Sequence, residues 1–280
     1  MTQIRLLSAE LEATIDPQGG KVLRLISRPQ GLPVLYENPA GGLFPMLPVA
    51  NRVAGNRFIF QGREIVLPRH AADADFFLHG DGWLRRWEVV ESGEGDEGDC
   101  VLQLRCQHVC GFDYLAQIRY QLQQNQLTAV LTLTHCGAVP MPYGGGFHPW
   151  FTFDKQSQVQ FQASGYWPEG EQHLPRDWQG TLPGYADFSQ PQYGEDTWLN
   201  VGYSGWNGCA KVLSDVMDIT ITSQTPWLML FRMRGEPFIC LEPQCHPVNA
   251  HNMDGQPGLR VLGAGDVLEF TMKITVQRRK

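Results

Sequence analysis

The chain has 280 residues, a formal net charge of −7 and a charged fraction of only 18%. Its 22 Lys and Arg residues are scattered, whereas binding to nucleic acid needs clustered cations that neutralise phosphates. No segment approaches the roughly 18 consecutive apolar residues that cross a membrane, and the first ten residues lack a signal-peptide pattern. We therefore expect a cytoplasmic protein with neither a nucleic-acid nor a membrane partner.

The cysteines indicate a reducing compartment. There are seven of them, an odd number, and none forms a CxxC pair. Cys106 and Cys110 are separated by three residues, and Cys106 belongs to a strand-like run. This usage favours free thiols over a disulfide framework.

Several segments alternate apolar and polar residues with the period of two that is typical of half-buried strands. In chain order, the first is 102–106, followed by 116–122 and 127–133 on either side of the polar residues 123–125. The last is 268–276. Two alternating runs around a short polar turn predict an antiparallel hairpin.

No run of 12 residues has a convincing helical period, and no linker or internal repeat divides the chain. We therefore predict an all-β fold, a large antiparallel β-sandwich in which residues 1–280 form a single domain. Residues 161–200 differ from the rest because they are rich in Pro, Gly, Trp, Asp and Gln. A long segment of this kind is either functional or a surface insertion, and the sequence leaves both open.

Two segments carry candidate binding residues. Arg52 follows Asn51 and an apolar, proline-containing run at residues 44–50. A guanidinium there can enter a pocket and bind hydroxyl oxygens with its fixed array of donors. His79 precedes Gly80, as in a loop that approaches a ligand closely. A surface arginine and a histidine in a polar turn are the alternatives.

Two further segments combine a titratable side chain with apolar neighbours. His148 and Trp150 follow three glycines at residues 144–146, which let the backbone pass close to something bulky. His148 can exchange a proton near neutral pH, and Trp150 offers an apolar face to a sugar ring. Glu242 ends the apolar run 238–241, where burial would raise its pKa and make it a better base. A hydrogen-bonded core His and Glu are the alternatives.

Taken in order, these segments resemble the aldose 1-epimerase, or galactose mutarotase-like, family along nearly the full chain, and its bacterial branch most of all. The segments that carry the resemblance are Asn51-Arg52 with Gly55 and Phe58, Leu78-His79-Gly80 with Trp87, Gly146-Phe147-His148-Pro149-Trp150-Phe151, Gly205-Trp206-Asn207-Gly208 and Leu241-Glu242-Pro243-Gln244.

The resemblance implies the β-supersandwich of that family and the interconversion of α and β anomers of a free aldose. It implies Glu242 as general base, His148 as general acid to the ring oxygen, and Asn51, Arg52 and His79 as sugar-binding residues. One base, one acid and hydroxyl-binding groups suffice for ring opening and closure, so we expect no metal and no cofactor. The expected partner is a small-molecule sugar, bound by a monomer or homodimer.

One position departs from the family pattern. Galactose-processing members carry an Asp shortly before their Gly-Trp segment, where it holds a sugar hydroxyl. Here Asn200 stands in its place. Asn both donates and accepts hydrogen bonds, so the resemblance supports the reaction more strongly than it supports galactose as the substrate.

Three alternatives remain open. The substrate could be an anionic sugar, a hexose 6-phosphate or sulfonated hexose, bound by a further cation. The chain could be a non-catalytic sugar-binding protein on the same scaffold. A metal site at Cys245, His246 and His251 has a spacing that matches no common site. We assign no chemistry to His135 and His173. The candidate cations for an anionic sugar are Arg57, Arg69, Arg85 and Arg86.

Overall fold

A computed structural model describes residues 3–69, 72–93, 98–193 and 197–279. Its strands, in chain order, are β1 Ile4–Leu7, β2 Leu11–Asp16, β3 Lys21–Ser27, β4 Leu32–Pro33, β5 Leu43–Met46, β6 Arg57–Phe60, β7 Arg63–Val66, β8 Glu88–Ser92, β9 Asp99–Gln107, β10 Asp113–Gln123, β11 Gln126–His135, β12 Met141–Tyr143, β13 Gly146–Thr152, β14 Gln158–Phe161, β15 Gly165–Trp167, β16 Gln192–Tyr193, β17 Leu199–Ser204, β18 Cys209–Leu213, β19 Met217–Ser223, β20 Trp227–Arg232, β21 Phe238–Gln244, β22 Arg260–Leu262 and β23 Val267–Arg278.

Two large antiparallel sheets contain most of these strands. The first, called the front sheet here, has the order β1-β2-β3-β5-β13-β21-β20-β17-β15, with β4 paired to β3. The second has the order β16-β14-β18-β19-β23-β11-β10-β9-β8. Two short pairs, β6–β7 and β12–β22, complete the described strands. The all-β prediction is confirmed, and within the described ranges the helical content is limited to single 3-10 turns at Ala54–Asn56, Gly82–Leu84, Glu171–His173 and Ala250–Asn252.

The alternating segments form strands because one side of each is apolar and faces the core. In the predicted hairpin, β10 and β11 pair from Tyr114↔His135 to Gln123↔Gln126, so the turn is one residue tighter than the polar run suggests. Strand β23 packs beside β11 with its apolar residues buried. The main apolar cluster draws on both sheets, from Ile4 to Val276. That the chain is a single domain stays a prediction.

In the part of the chain that the structure describes, no helix is long and apolar enough to cross a membrane. Residues 161–200 are not structureless, because they contain β15, β16 and the turn Glu171–His173. Within this segment, β15 forms an edge of the front sheet by pairing with β17, and β16 forms an edge of the second sheet.

The central strands of the front sheet fix the position of two titratable side chains. Strands β13 and β21 are neighbours, and their register pairs Gly146 with Gln244 and Trp150 with Cys240. Midway between these pairs, His148 falls opposite Glu242. Directly opposed residues on antiparallel strands point to the same face, so the register itself brings the imidazole and the carboxyl together.

Candidate active site

A cleft of about 560 Å³ opens on the front sheet. All of the candidate site residues identified from the sequence line this cleft, although they come from five separate segments of the chain. The residues are Asn51, Arg52, His79, His148, Trp150, Asn200 and Glu242.

The centre of the cleft is the pair formed by His148 and Glu242. The imidazole Nε2 lies 3.3 Å from Oε1 of the carboxyl group, and the side chains are 7% and 2% exposed. Gln244, two residues further along β21, donates a hydrogen bond of 3.2 Å from Nε2 to the other carboxyl oxygen, Oε2. One oxygen of Glu242 is therefore held by the protein, and the other contacts the imidazole.

Burial moves the two pKa values in opposite directions, because it disfavours the charged form of each group. It raises the pKa of Glu242 to about 8, against the opposing effects of the Gln244 hydrogen bond and the Arg52 charge. It lowers the pKa of His148 to about 3. Between these values the pair as a whole holds one proton, so it contains both a proton donor and a proton acceptor.

Aromatic side chains hold the imidazole of His148 in place. Its ring stacks on Phe44 at a centroid distance of 4.6 Å and on Trp150 at 5.6 Å. Trp150 packs in turn on Phe238 at 4.4 Å. Part of the Trp150 ring surface is therefore used to orient His148, and stacking of a sugar on the same side chain stays a prediction.

His79 and Asn51 brace each other across one wall of the cleft. The backbone N–H of Asn51 donates to Nδ1 of His79 over 3.1 Å, and the backbone N–H of His79 donates to the carbonyl of Asn51 over 3.0 Å. Because Nδ1 accepts, a neutral imidazole carries its proton on Nε2. Neutral His79 is therefore a hydrogen-bond donor at Nε2.

Arg52 provides positive charge beside the pair. Its side chain is 16% exposed, lies 3.8 Å from the Asp73 carboxylate and sits 5.9 Å above the Phe76 ring. Burial lowers the pKa of Arg52, while the charges of Asp73, Glu242 and Glu169 oppose that shift. A mostly buried guanidinium with such a long ion-pair distance retains donors for a ligand.

The backbone beside His79 depends on Gly80. Gly80 has φ +65°, and an added Cβ would lie 2.0 Å from the carbonyl oxygen of Leu47. We expect Gly80→Ala to lower the free energy of unfolding by more than ~2 kcal/mol, the sum of left-handed strain and a backbone clash. Gly62→Ala is the matched control, since Gly62 has φ +75° with nothing within 4 Å of the added Cβ. Urea unfolding would contradict this account if the two variants lost equal stability.

Other residues of the cleft were missed from the sequence. Lys21 lines it and donates from Nζ to the carbonyl of Pro39 over 2.9 Å. Trp198 and His173 line it as well, although no chemistry was assigned to His173. Glu169 lies behind both of them and bonds to each. Apart from the prediction at Asn200, the sequence signal for this wall is the unusual composition of residues 161–200.

The candidate cations for an anionic sugar are not among the residues that line the cleft. Arg57 pairs with Glu64, and Arg85 pairs with Asp81. Among the residues that the structure describes, the Lys and Arg side chains that line the cleft are Lys21 and Arg52.

His246 and His135 have structural contacts. His246 contacts the carbonyl of Pro247 through Nδ1 and accepts the backbone N–H of Ala50 at Nε2, so both ring nitrogens are engaged. This arrangement fixes the chain just before Asn51 and argues against His246 as a metal ligand. His135 is buried and bonds to Tyr143.

Comparison with known proteins decides the family. The sequence profile of the aldose 1-epimerase family matches residues 2–275. The chain belongs to the aldose 1-epimerase family. The Escherichia coli K12 protein YphB is 33% identical to it over 295 residues, with 99% of each chain covered.

Solved structures of aldose 1-epimerase relatives share the fold. An Escherichia coli K12 protein proposed to be an aldose 1-epimerase is 31% identical, with a TM-score of 0.93 and 99% of each chain covered. A galactose mutarotase-like protein from Clostridium acetobutylicum is 16% identical, with a TM-score of 0.87 and coverage of 98% of this chain and 95% of that one. The supersandwich and the bacterial branch predicted from the sequence are thereby confirmed.

Proposed function

We propose that the protein is a cofactor-independent aldose 1-epimerase that interconverts the α and β anomers of a free, neutral aldose. The observation that carries this proposal is the 3.3 Å contact between His148 and Glu242 at the centre of the cleft. Two buried groups with opposed pKa shifts are costly to maintain and are typical of acid–base catalysis. A protein that only binds sugar needs neither the buried carboxyl group nor the buried imidazole.

The reaction requires one proton to leave the sugar and one to enter it. In the reactive form of the pair its single proton is on His148, so Glu242 is ionised. Glu242 then takes the proton of the C1 hydroxyl while the imidazolium of His148 gives its proton to the ring oxygen. The bond between C1 and the ring oxygen breaks, which leaves an open-chain aldehyde. After rotation about C1–C2, the ring oxygen attacks the other face of C1 and the two proton transfers run in reverse.

Donors and acceptors around the pair can hold the remaining hydroxyls. The protonated Nε2 of His79 and the guanidinium of Arg52 donate, while the amides of Asn51 and Asn200 offer both functions. These groups come from rigid strand ends and a braced loop, so they can hold the ring while C1 reacts. The positive charge of Lys21 is opposed by Asp16, and that of Arg52 by Asp73 and Glu242. This balance of charge favours a neutral sugar over an anionic one.

The test is anomer exchange measured by NMR saturation transfer on glucose, galactose and glucose 6-phosphate, each against an enzyme-free blank because spontaneous exchange is appreciable. We expect exchange above the blank for at least one neutral aldose and less for glucose 6-phosphate. A sugar that binds with no gain in exchange would support the binding protein instead. Exchange that is fastest with glucose 6-phosphate would overturn the neutral substrate.

The pH dependence of kcat/KM follows from the shared proton. The pair holds one proton between about 3, where His148 protonates, and about 8, where Glu242 ionises, and above that the acid is lost. We therefore expect kcat/KM to fall as the pH rises through about 8. An isolated base with the same pKa would give the opposite sign, a rise through that pH. A blank-corrected profile in buffers of constant ionic strength distinguishes the two.

A further inference from the structure

One carboxylate organises the part of the cleft wall that contains Asn200. Glu169 follows β15 and accepts a hydrogen bond of 2.6 Å at Oε1 from Nδ2 of Asn200. It accepts another of 2.6 Å at Oε2 from the indole N–H of Trp198. Nδ1 of His173 contacts Oε1 as well. All three partners line the cleft, whereas Glu169 lies behind them.

Glu169 is ionised at neutral pH. Partial burial acts to raise its pKa, but the hydrogen bonds from His173, Asn200 and Trp198 outweigh it and hold the pKa below its usual value. An ionised carboxylate can only accept hydrogen bonds. The amide nitrogen of Asn200 must therefore face Glu169, and the amide oxygen must point away from it. The contact with Glu169 therefore identifies which end of the Asn200 amide is the nitrogen and which is the oxygen.

We propose that Glu169 is a positioning residue that fixes the polarity of the cleft at Asn200, so that this wall accepts a hydrogen bond from a sugar hydroxyl. The inference rests on the proposed function, since it requires a sugar in the cleft. Asn200 is 8% exposed on β17, so its amide has little freedom to turn without a change of partner.

Glu169→Gln reverses this polarity. The indole N–H of Trp198 can only donate, whereas Nδ1 of His173 can accept in the other tautomer of its ring. The oxygen of the new amide therefore faces Trp198, and its nitrogen faces Asn200 and His173. Asn200 then turns its oxygen toward that nitrogen and presents its own nitrogen to the cleft. Loss of one neutral hydrogen bond to the sugar raises KM by about 10-fold, with a smaller effect on kcat.

Asn200→Asp tests the same contact from the other side. It places a second carboxylate against Glu169, which is destabilising, and we expect kcat/KM to fall by about 10-fold or more. In the Glu169→Gln/Asn200→Asp double variant, the amide nitrogen at 169 donates to the carboxylate at 200 and an oxygen again faces the cleft. We expect kcat/KM of the double variant to return to within about 3-fold of wild type, a coupling that independent sites do not show.

Glu171→Gln is the matched control, because Glu171 is an exposed residue of the same segment. We expect it to leave kcat, KM and thermal stability unchanged. Equal KM values for wild type and Glu169→Gln, or a double variant no better than either single variant, would overturn the proposal. A variant that loses thermal stability but keeps its KM would show that Glu169 is only structural.

A second readout does not depend on turnover. With selective ¹⁵N-asparagine labelling, the side-chain amide protons of Asn200 should resonate downfield in wild type, where a carboxylate accepts them, and move upfield in Glu169→Gln. Asn200→Asp assigns the signal by removing it. If wild type exchanges no anomers but this shift is seen, the proposed function fails while the positioning contact stands. If the shift is absent, the positioning role is wrong whatever the activity.

Discussion

Glu242→Gln should lower kcat/KM for anomer exchange by about 10³-fold, because the amide keeps the size of the side chain but cannot accept the proton of the C1 hydroxyl. The same change should stabilise the fold at alkaline pH. Burial raises the pKa of Glu242 to about 8, so the folded state is favoured while the group is protonated and loses that advantage as the pH rises through this value. A neutral amide does not ionise and avoids the loss.

The measurement pairs exchange rates from NMR with melting temperatures below and above the pKa of Glu242. Glu236→Gln is the control, because Glu236 is exposed in the turn between β20 and β21 and should change neither quantity. Exchange at the wild-type rate in Glu242→Gln would rule out this residue as the base. If Glu242→Gln is less stable than wild type at alkaline pH, the Glu242 carboxylate of the wild type is better paired than the structure indicates.

His148→Ala should lower kcat by about 10² to 10³-fold, since the ring oxygen then loses its proton donor. The substitution also leaves a space between Phe44 and Trp150 of the size of the ring they enclose. Added imidazole should occupy that space and restore exchange in a saturable way, which a merely destabilised variant would not show. His148→Gln should not respond to imidazole, because its side chain fills the space.

The fold could be predicted largely because its strands obey a simple rule. Each long strand of the second sheet has one apolar face, so the period of two in 116–122, 127–133 and 268–276 predicts both the strands and the buried side. The order of strands in each sheet could not be predicted in the same way. It depends on pairings between segments far apart in the chain, such as β5 with β13 and β11 with β23.

The side of the cleft that contains His148 and Glu242 could be predicted from the sequence because these residues stand beside unusual neighbours. His148 follows three glycines, and Glu242 ends an apolar strand. The wall built around Glu169 could not be predicted in this way. Glu169 resembles any acidic residue of an irregular, polar segment, and its role arises only where that segment meets Trp198 and Asn200 in space. Asn200 was predicted to bind sugar, but the direction of its amide depends on this partner.

The candidate cations illustrate the same limit. Arg57 and Arg85 were candidates from the sequence, yet each pairs with a carboxylate that does not line the cleft. Lys21 reaches the cleft from β3, a strand that no matching segment includes. The charges that face the cleft therefore depend on how distant strands meet, and the sequence alone did not indicate them.

The central claim is that the cleft opens and closes the sugar ring without breaking the bond between C1 and its hydroxyl oxygen. Its most direct test uses the α anomer of a neutral aldose labelled with ¹³C and ¹⁸O at the C1 hydroxyl, followed by ¹³C NMR. The account predicts that the enzyme speeds the approach to anomeric equilibrium beyond the blank while the ¹⁸O isotope shift is kept in both anomers. Loss of the label at the rate of anomer exchange, or no acceleration with any neutral aldose, would contradict it.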